Sequence, residues 1–300
     1  MSQWIANLLL QVSLYMLWAI PFGVIYSTFR VFHLAHGAVY LVGGYAAAFA
    51  MIGIGQTSAP GHAGVTALAV GCLAGGLAAA LTGVAINRTV YVPLQRRYAS
   101  TLGFLVSAFG ILMVVQNGLA AIFGDGIVSV RSRLPGQRVV VWGASMTTME
   151  LVLMGAAVAE LAVVALLLRG TRLGTAMRVV SGSRITASVV GFSPDAVVNK
   201  AFVIGSALAG FGACLSTANI DLQPSMALDV VLKAVVACVV GGTEHVWGAA
   251  LGSVVIGVLE SVAILVFPGG WKDGVTFALF ICFLLLRPQG ILGRIAERAG

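Results

Sequence analysis

Charge is the scarcest thing in this sequence. Only 9% of its 300 residues are Asp, Glu, Lys or Arg, against about 25% in a soluble globular domain. So few charges cannot clothe a water-facing surface. With 59% hydrophobic residues and a mean hydropathy of +1.02, the chain has lipid as its main solvent. Cysteine is scarce too. Cys72, Cys214, Cys238 and Cys282 stand singly inside hydrophobic stretches, which is neither a disulfide framework nor a metal spacing. They read as small buried apolar residues. No basic run interleaved with aromatics is present, so the net charge of +7 does not point to nucleic acid. It fits instead the excess of Lys and Arg in cytoplasmic loops. Residues 1–25 hold no Lys or Arg before the apolar run and no small-residue cleavage site after it. The first apolar segment is therefore expected to stay as a span.

Catalytic signatures are missing as well. The chain has no Gly-x-x-x-x-Gly-Lys-Ser/Thr phosphate cradle, no His-Glu-x-x-His pair and no Gly-x-Ser-x-Gly elbow. It cannot hydrolyse ATP alone, is not expected to be an enzyme, and needs no cofactor of its own. His33 and His36 are three apart and face one way on a helix, but no Cys or carboxylate lies near to complete a metal site. No metal is expected.

Long apolar runs are abundant. Crossing ~30 Å of hydrocarbon takes about 20 helical residues, and such segments lie near 5–25, 34–54, 64–87, 101–123, 149–168, 199–218, 229–241, 246–266 and 273–287. Two of these, 229–241 and 273–287, are short or broken by glycine. The expectation is an all-α polytopic transmembrane bundle of about 8–10 spans, forming one domain over residues 1–300. The segments 88–100, 169–200 and the tail from 287 hold eleven of the 17 Lys and Arg, which assigns them to the cytoplasm. Counting back through the segments puts the N-terminus outside. It also puts residues 124–148 outside, despite Arg131, Arg133 and Arg138. Their pattern reads as two short strands around a turn at Leu134-Pro135-Gly136-Gln137, an external hairpin offering a surface to a partner.

Thirty-eight glycines are spread through the apolar runs, where small residues let helices approach closely. Gly71 with Gly75, Gly248 with Gly252, and Ser206 with Gly210 have the four-residue spacing that puts both on one face. The glycines after His36 (Gly37, Gly43, Gly44) suggest close helix contact or a broken helix near a pore, whose backbone dipoles would meet a substrate carboxylate. Charges inside the membrane are costly and usually functional. Asp229 and Lys233 are one turn apart on a common face, suited either to a mutual salt bridge or to a pore wall. Glu160 and Glu260 lie deep in apolar runs with no local partner. They favour, as a second reading, a carrier driven by an ion gradient.

The stretch 169–200 is too polar to span and too long for a tight turn. Residues 172–181 and 183–190 read as two short helices parted at Gly182 and ended by Gly191, with Pro194 beyond. Such a unit suits either a permease docking onto a separate motor or a solvated loop on the membrane surface.

At this stretch the chain resembles the permease subunits of ABC importers of the branched-chain amino acid type. Their coupling loop opens Gly-Thr-x-x-Gly-x-Ala-Met-Arg, matched by Gly170-Thr171-Arg172-Leu173-Gly174-Thr175-Ala176-Met177-Arg178. Their following Glu-Ala-Ala-x-x-x-Gly segment aligns on Ala187 and Gly191, with Ile185 and Thr186 replacing the Glu and first Ala. The resemblance continues through Phe32–Ala38, Phe202–Gly210, Leu232-Lys233-Ala234 with Gly241-Gly242, and Arg287-Pro288-Gln289-Gly290. It departs at Thr243-Glu244-His245-Val246-Trp247, which places a charge and a Trp at a cytoplasmic turn. The resemblance implies a multi-pass subunit of the bacterial inner membrane with a coupling loop over about 169–198. Arg178, Arg184, Ala187 and Gly191 would meet the motor. His36, Gly37, Gly43, Asp229 and Lys233 are candidates for the translocation path. Implied partners are a second related permease, two ATP-binding subunits that use ATP and Mg, and a periplasmic solute-binding protein.

Overall fold

The computed structural model describes residues 1–57, 63–97, 100–130, 137–242, 246–266, 271–287 and 290–292. Outside these lie Arg131, Arg133, the expected turn at Leu134-Pro135-Gly136, Glu244, and the tail arginines Arg294 and Arg298. In chain order the elements are α1 (Ser2–Phe29), α2 (His36–Thr57), α3 (Ala63–Ile86), a π turn (Asn87–Tyr91), α4 (Val92–Arg96), α5 (Thr101–Phe123), β1 (Arg138–Val141), β2 (Ala144–Thr147), α6 (Thr148–Gly170), α7 (Arg172–Gly182), α8 (Arg184–Val189), α9 (Pro194–Asn219), α10 (Met226–Gly241), α11 (Val246–Val266) and α12 (Lys272–Leu286).

Among the described residues, seven helices are long and apolar enough to cross a membrane: α1, α2, the continuous Gly64–Arg96 run, α5, α6, α9 and α11. With the two shorter apolar helices α10 and α12 they make nine candidates, within the expected eight to ten. α10 has 16 residues and α12 has 15, about 24 and 22 Å at 1.5 Å per residue. α10 is short because it starts inside the bundle, its first turn abutting the first turn of α2: a side-chain carbon on Gly37 would meet the Ala227 carbonyl group.

Small residues set the packing. α9 lies between α1 and α3 and uses a different face for each. Towards α3, Gly210 fits against Gly75 and Ala79, while Ser206 fits against Gly83. A Cβ on Gly75 would sit 2.8 Å from the Gly43 carbonyl and 3.0 Å from that of Gly210, so α2, α3 and α9 cross there at backbone contact. Towards α1, a Cβ on Gly212 would fall 2.9 Å from the Leu17 carbonyl. That carbonyl is the one Pro21 cannot bond within α1, since proline has no N–H. On the other flank Gly248 and Gly252 of α11 pack on Gly241 and Ala237 of α10. All three glycine or serine pairs read from spacing lie at helix crossings.

The two ends of the bundle differ. One carries the β1–β2 hairpin, tied to the start of α1 by Ser2 Oγ donating to the Gly143 carbonyl and Gln3 Oε1 accepting from Ser145 N–H. The other gathers the ends of α1, α4 and α6 with α7 and α8. There Arg184 donates to Gln95 Oε1 at 2.7 Å and Arg30 Nε to Ser181 Oγ at 3.0 Å. The segment after α12 returns to this end, with Ile291 N–H bonded to the Val240 carbonyl.

The hairpin is displaced from its expected place. Val139–Val141, expected as its second strand, is its first, and Val141 pairs with Ala144 across a two-residue turn, Trp142-Gly143. Both turn residues have positive φ, 51° and 78°, the twist a two-residue hairpin demands. Val128, in the expected first strand, instead pairs with Leu222 beyond α9. Of the cysteines, Cys214 and Cys238 are buried and Cys72 is partly so, but Cys282 is exposed on α12, contrary to the expectation of burial.

Candidate functional site

Two places concentrate polar chemistry: the α6–α7–α8 corner and a charged cluster within the bundle.

At the corner, α6 ends at Gly170 and α7 begins under the cap of Thr171, whose Oγ1 accepts from Gly174 N–H at 3.1 Å and donates to the Leu167 carbonyl at 2.6 Å. Gly174 lies against the Leu168 backbone, where a Cβ would approach Leu168 Cα to 2.5 Å. Arg178 donates to the Leu168 carbonyl and, at 3.2 Å, to Thr175 Oγ1. The Gly-Thr-x-x-Gly-x-x-x-Arg pattern therefore encodes one elbow, in which a cap, an absent side chain and a guanidinium all close on residues 167 and 168. Ser183 then breaks the helix in extended backbone and caps α8, accepting from Thr186 N–H at 3.1 Å. Both short helices stand where spacing places them, to within a residue or two. Gly191, at φ 90°, reverses the chain into α9.

The four loop residues singled out by resemblance take different places. Arg178 is spent inside the elbow. Arg184 bridges Gln95 and Asp195, at 2.7 and 2.8 Å. Ala187 is fully buried beneath α8. Gly191 has open space around it. Beside the exposed Thr186 and Ser188, large apolar residues face outward: Ile185 is 80% exposed, Val189 82% and Val190 63%. This tip was missed from sequence, though the signal was present. Ile185 and Val189 are four apart and share a helix face, opposite the buried Ala187.

Inside the bundle, Tyr15 of α1, Lys233 of α10 and Glu260 of α11 form one cluster. The Tyr15 hydroxyl donates to Glu260 and accepts from Gln11 Nε2 at 2.5 Å. Lys233 Nζ lies 3.7 Å from Glu260 Oε1 and 5.6 Å from the centre of the Tyr15 ring. Of Asp229 and Lys233, read from spacing as a mutual salt bridge or a pore wall, the Lys233 ammonium lies near Glu260 of α11 and Asp229 is exposed. An acid fully buried in the bundle, as Glu260 is, needs a cation more than an exposed one does. Glu160 is also buried, on the α6 stripe with Leu153, Ala157 and Val164 that packs on α1, and its carboxyl oxygens find no hydrogen-bond partner among the described residues.

The remaining candidates sit on α2. His33, just before it, bonds Tyr91 Oη at 2.7 Å and packs edge-on against Phe202 at 5.1 Å. That ring cluster turns the chain from α1 into α2. His36 opens α2 and packs edge-on against Phe22. Gly37 touches α10, two residues from Asp229, whereas Gly43 sits in the crossing of α2, α3 and α9. The structure thus joins Gly37 to the start of α10 but leaves Lys233 with Tyr15 and Glu260.

Comparison with known proteins agrees with this architecture. The family described as "Branched-chain amino acid transport system / permease component" matches residues 4–284. The chain is 32% identical over 292 residues to the high-affinity branched-chain amino acid transport system permease protein LivH of Escherichia coli K12, covering 94% of this chain and 92% of that one. It is 30% identical over 288 residues, with the same coverage, to the corresponding permease protein BraD of Pseudomonas aeruginosa. A probable branched-chain amino acid transport permease protein LivH of Methanocaldococcus jannaschii shares 26% over 135 residues, 43% of each chain. With seven helices among its described residues long and apolar enough to cross a membrane, and a match over nearly its whole length, this multi-pass membrane chain belongs to the branched-chain amino acid transport permease family.

Proposed function

We propose that the chain is a pore-forming subunit of an ATP-binding-cassette importer in the bacterial inner membrane. It passes branched-chain or other hydrophobic amino acids, or related small solutes, from a periplasmic binding protein to the cytoplasm. A second related permease completes the pore, and two ATP-binding subunits, which hold ATP and Mg, dock on the α7–α8 end. The observation that carries this reading is the apolar tip of α8. Ile185, Val189 and Val190 project from a polar segment outside the long apolar helices, an exposed apolar face of the kind that a groove on another protein takes up.

The elbow supplies the mechanics. Closure of the ATPase pair displaces α8, and the displacement passes through Arg184 to Asp195 of α9 and Gln95 of α4. It passes through Thr171, Gly174 and Arg178 into α6, and through Ser181 to Arg30 at the end of α1. α2 and α10 both begin within the bundle, so their N-terminal dipoles favour a substrate carboxylate where Gly37 and Ala227 meet. The pathway is assigned to that wall, with His36 and Asp229 beside it; Gly43 serves it by packing and Lys233 by holding α10 to α11. The test is uptake by the full transporter in liposomes. Ile185→Asp with Val189→Asp should lower transport by about tenfold or more and abolish stimulation of ATP hydrolysis by loaded binding protein. Unchanged uptake would remove the docking assignment.

A further inference from the structure

A cavity of about 500 Å³ opens where α6 ends and α11 begins, roofed by α7 and backed by the end of α1. Its lining divides by chemistry. Leu161, Ala165 and Leu168 of α6 make an apolar wall with Val246 of α11. Arg169, Arg178, Ser27 and Ser181 make the polar part of the lining. The Arg169 guanidinium lies 5.2 Å over the Trp247 ring, which also lines the cavity. Arg30 brings a third guanidinium close, its Nε donating to Ser181 Oγ at 3.0 Å, which leaves the Ser181 hydroxyl proton free to donate outward. No acidic side chain lines the cavity among the described residues.

We propose that this cavity is a binding site for the phosphate headgroup of an anionic phospholipid, whose acyl chain lies along α6. The phosphate takes the polar part of the lining, with Arg169 as its chief cation and Arg178, held by the Leu168 carbonyl and Thr175, beside it. The chain takes the wall, which belongs to a membrane-crossing helix: Leu161 lies about 13 Å in from the end of α6 at Gly170. Depth separates a lipid from the other sources of negative charge. A soluble partner's carboxylate or free phosphate satisfies the polar part of the lining but leaves the apolar wall empty. α6 packs chiefly on α1 and only lightly on α11, which leaves the space between α6 and α11 for an acyl chain in this proposal. Trp247 in the lining is placed as aromatic residues are at membrane interfaces. A lipid wedged here fills the space beside the elbow and holds α11 against α6.

The test is native mass spectrometry of the purified full chain after exchange into phosphatidylglycerol or phosphatidylcholine, with inorganic phosphate as a third arm. The wild type should retain phosphatidylglycerol and release phosphatidylcholine. Arg169→Gln, chosen because Arg178 also holds the elbow, should weaken phosphatidylglycerol retention by about fivefold. Leu161→Trp, which fills the apolar wall, should weaken it without removing the arginines. Thermal unfolding in phosphatidylcholine reports whether each variant is folded, and Ala165→Phe replaces Leu161→Trp if that variant is not. Equal retention of the two lipids, or phosphatidylglycerol retention unchanged in both Arg169→Gln and the wall variant, would overturn the site. Full displacement by inorganic phosphate would overturn the acyl half of the proposal.

Discussion

At the scale of single residues, Gly174 packs against one carbonyl, that of Leu168, to which Arg178 also donates. A methyl on Gly174 meets backbone, which cannot move aside. Gly174→Ala should destabilise the elbow by about 1–3 kcal/mol, seen as a lower unfolding temperature and weaker coupled uptake; a variant with wild-type values in both would contradict the packing. Lys233 and Glu260 make the second such point. Lys233→Met leaves a carboxylate buried without its cation, which costs about 3–5 kcal/mol. Adding Glu260→Gln should restore most of the lost stability in a thermal unfolding series. The sequence shows the Gly-Thr-x-x-Gly spacing but not the carbonyl that explains it, because that contact closes across a bend. Likewise Asp229 is the neighbour that helical spacing offers Lys233, whereas Glu260 becomes a neighbour only once α10 and α11 pack through their glycines.

At the scale of elements, α7 and α8 were legible because their punctuation is local: Gly182, Gly191 and Pro194 end or break helices wherever they stand. The hairpin was legible as a hairpin but not in register. Its turn uses Trp142, an unusual residue at positive φ, in place of the Asn-Gly that normally announces such a turn. Trp142 is 97% exposed, so Trp142→Asn should relieve strain and stabilise the hairpin by up to about 1 kcal/mol. Amide exchange at Val139–Val141 would slow while transport stays unchanged; faster exchange would contradict the turn geometry. α10 shows the limit of hydropathy, which reports that a segment is apolar and not at what depth it begins. The α3–α9 seam was legible from its spacing, and Gly210→Leu should part α3 from α9, lowering the yield of folded protein in membranes.

At the scale of the whole molecule, the chain is a bundle with two unlike ends. The hairpin lies at one, tied to the start of α1, and the basic α7–α8 unit lies at the other, tied to the ends of α1 and α4. Composition alone announced the membrane, and the Arg and Lys of 88–100 and 169–200 marked segments that meet at one end, although Arg131, Arg133 and Arg138 in the hairpin region ran against that pattern. The apolar tip of α8 did not show in a hydropathy profile, since three exposed residues vanish in a window long enough to find a span. The docking proposal requires the tip to face the ATPase side and the hairpin the opposite side. Single cysteines at Ile185 and Trp142, placed in a chain with Cys282 replaced by Ala, can be labelled with a membrane-impermeant maleimide in intact spheroplasts and in inverted vesicles. The Trp142 cysteine should label only in spheroplasts. The Ile185 cysteine should label only in inverted vesicles and be protected when the ATP-binding subunits are bound. Labelling of Ile185→Cys from outside, or with no protection by those subunits, would contradict it.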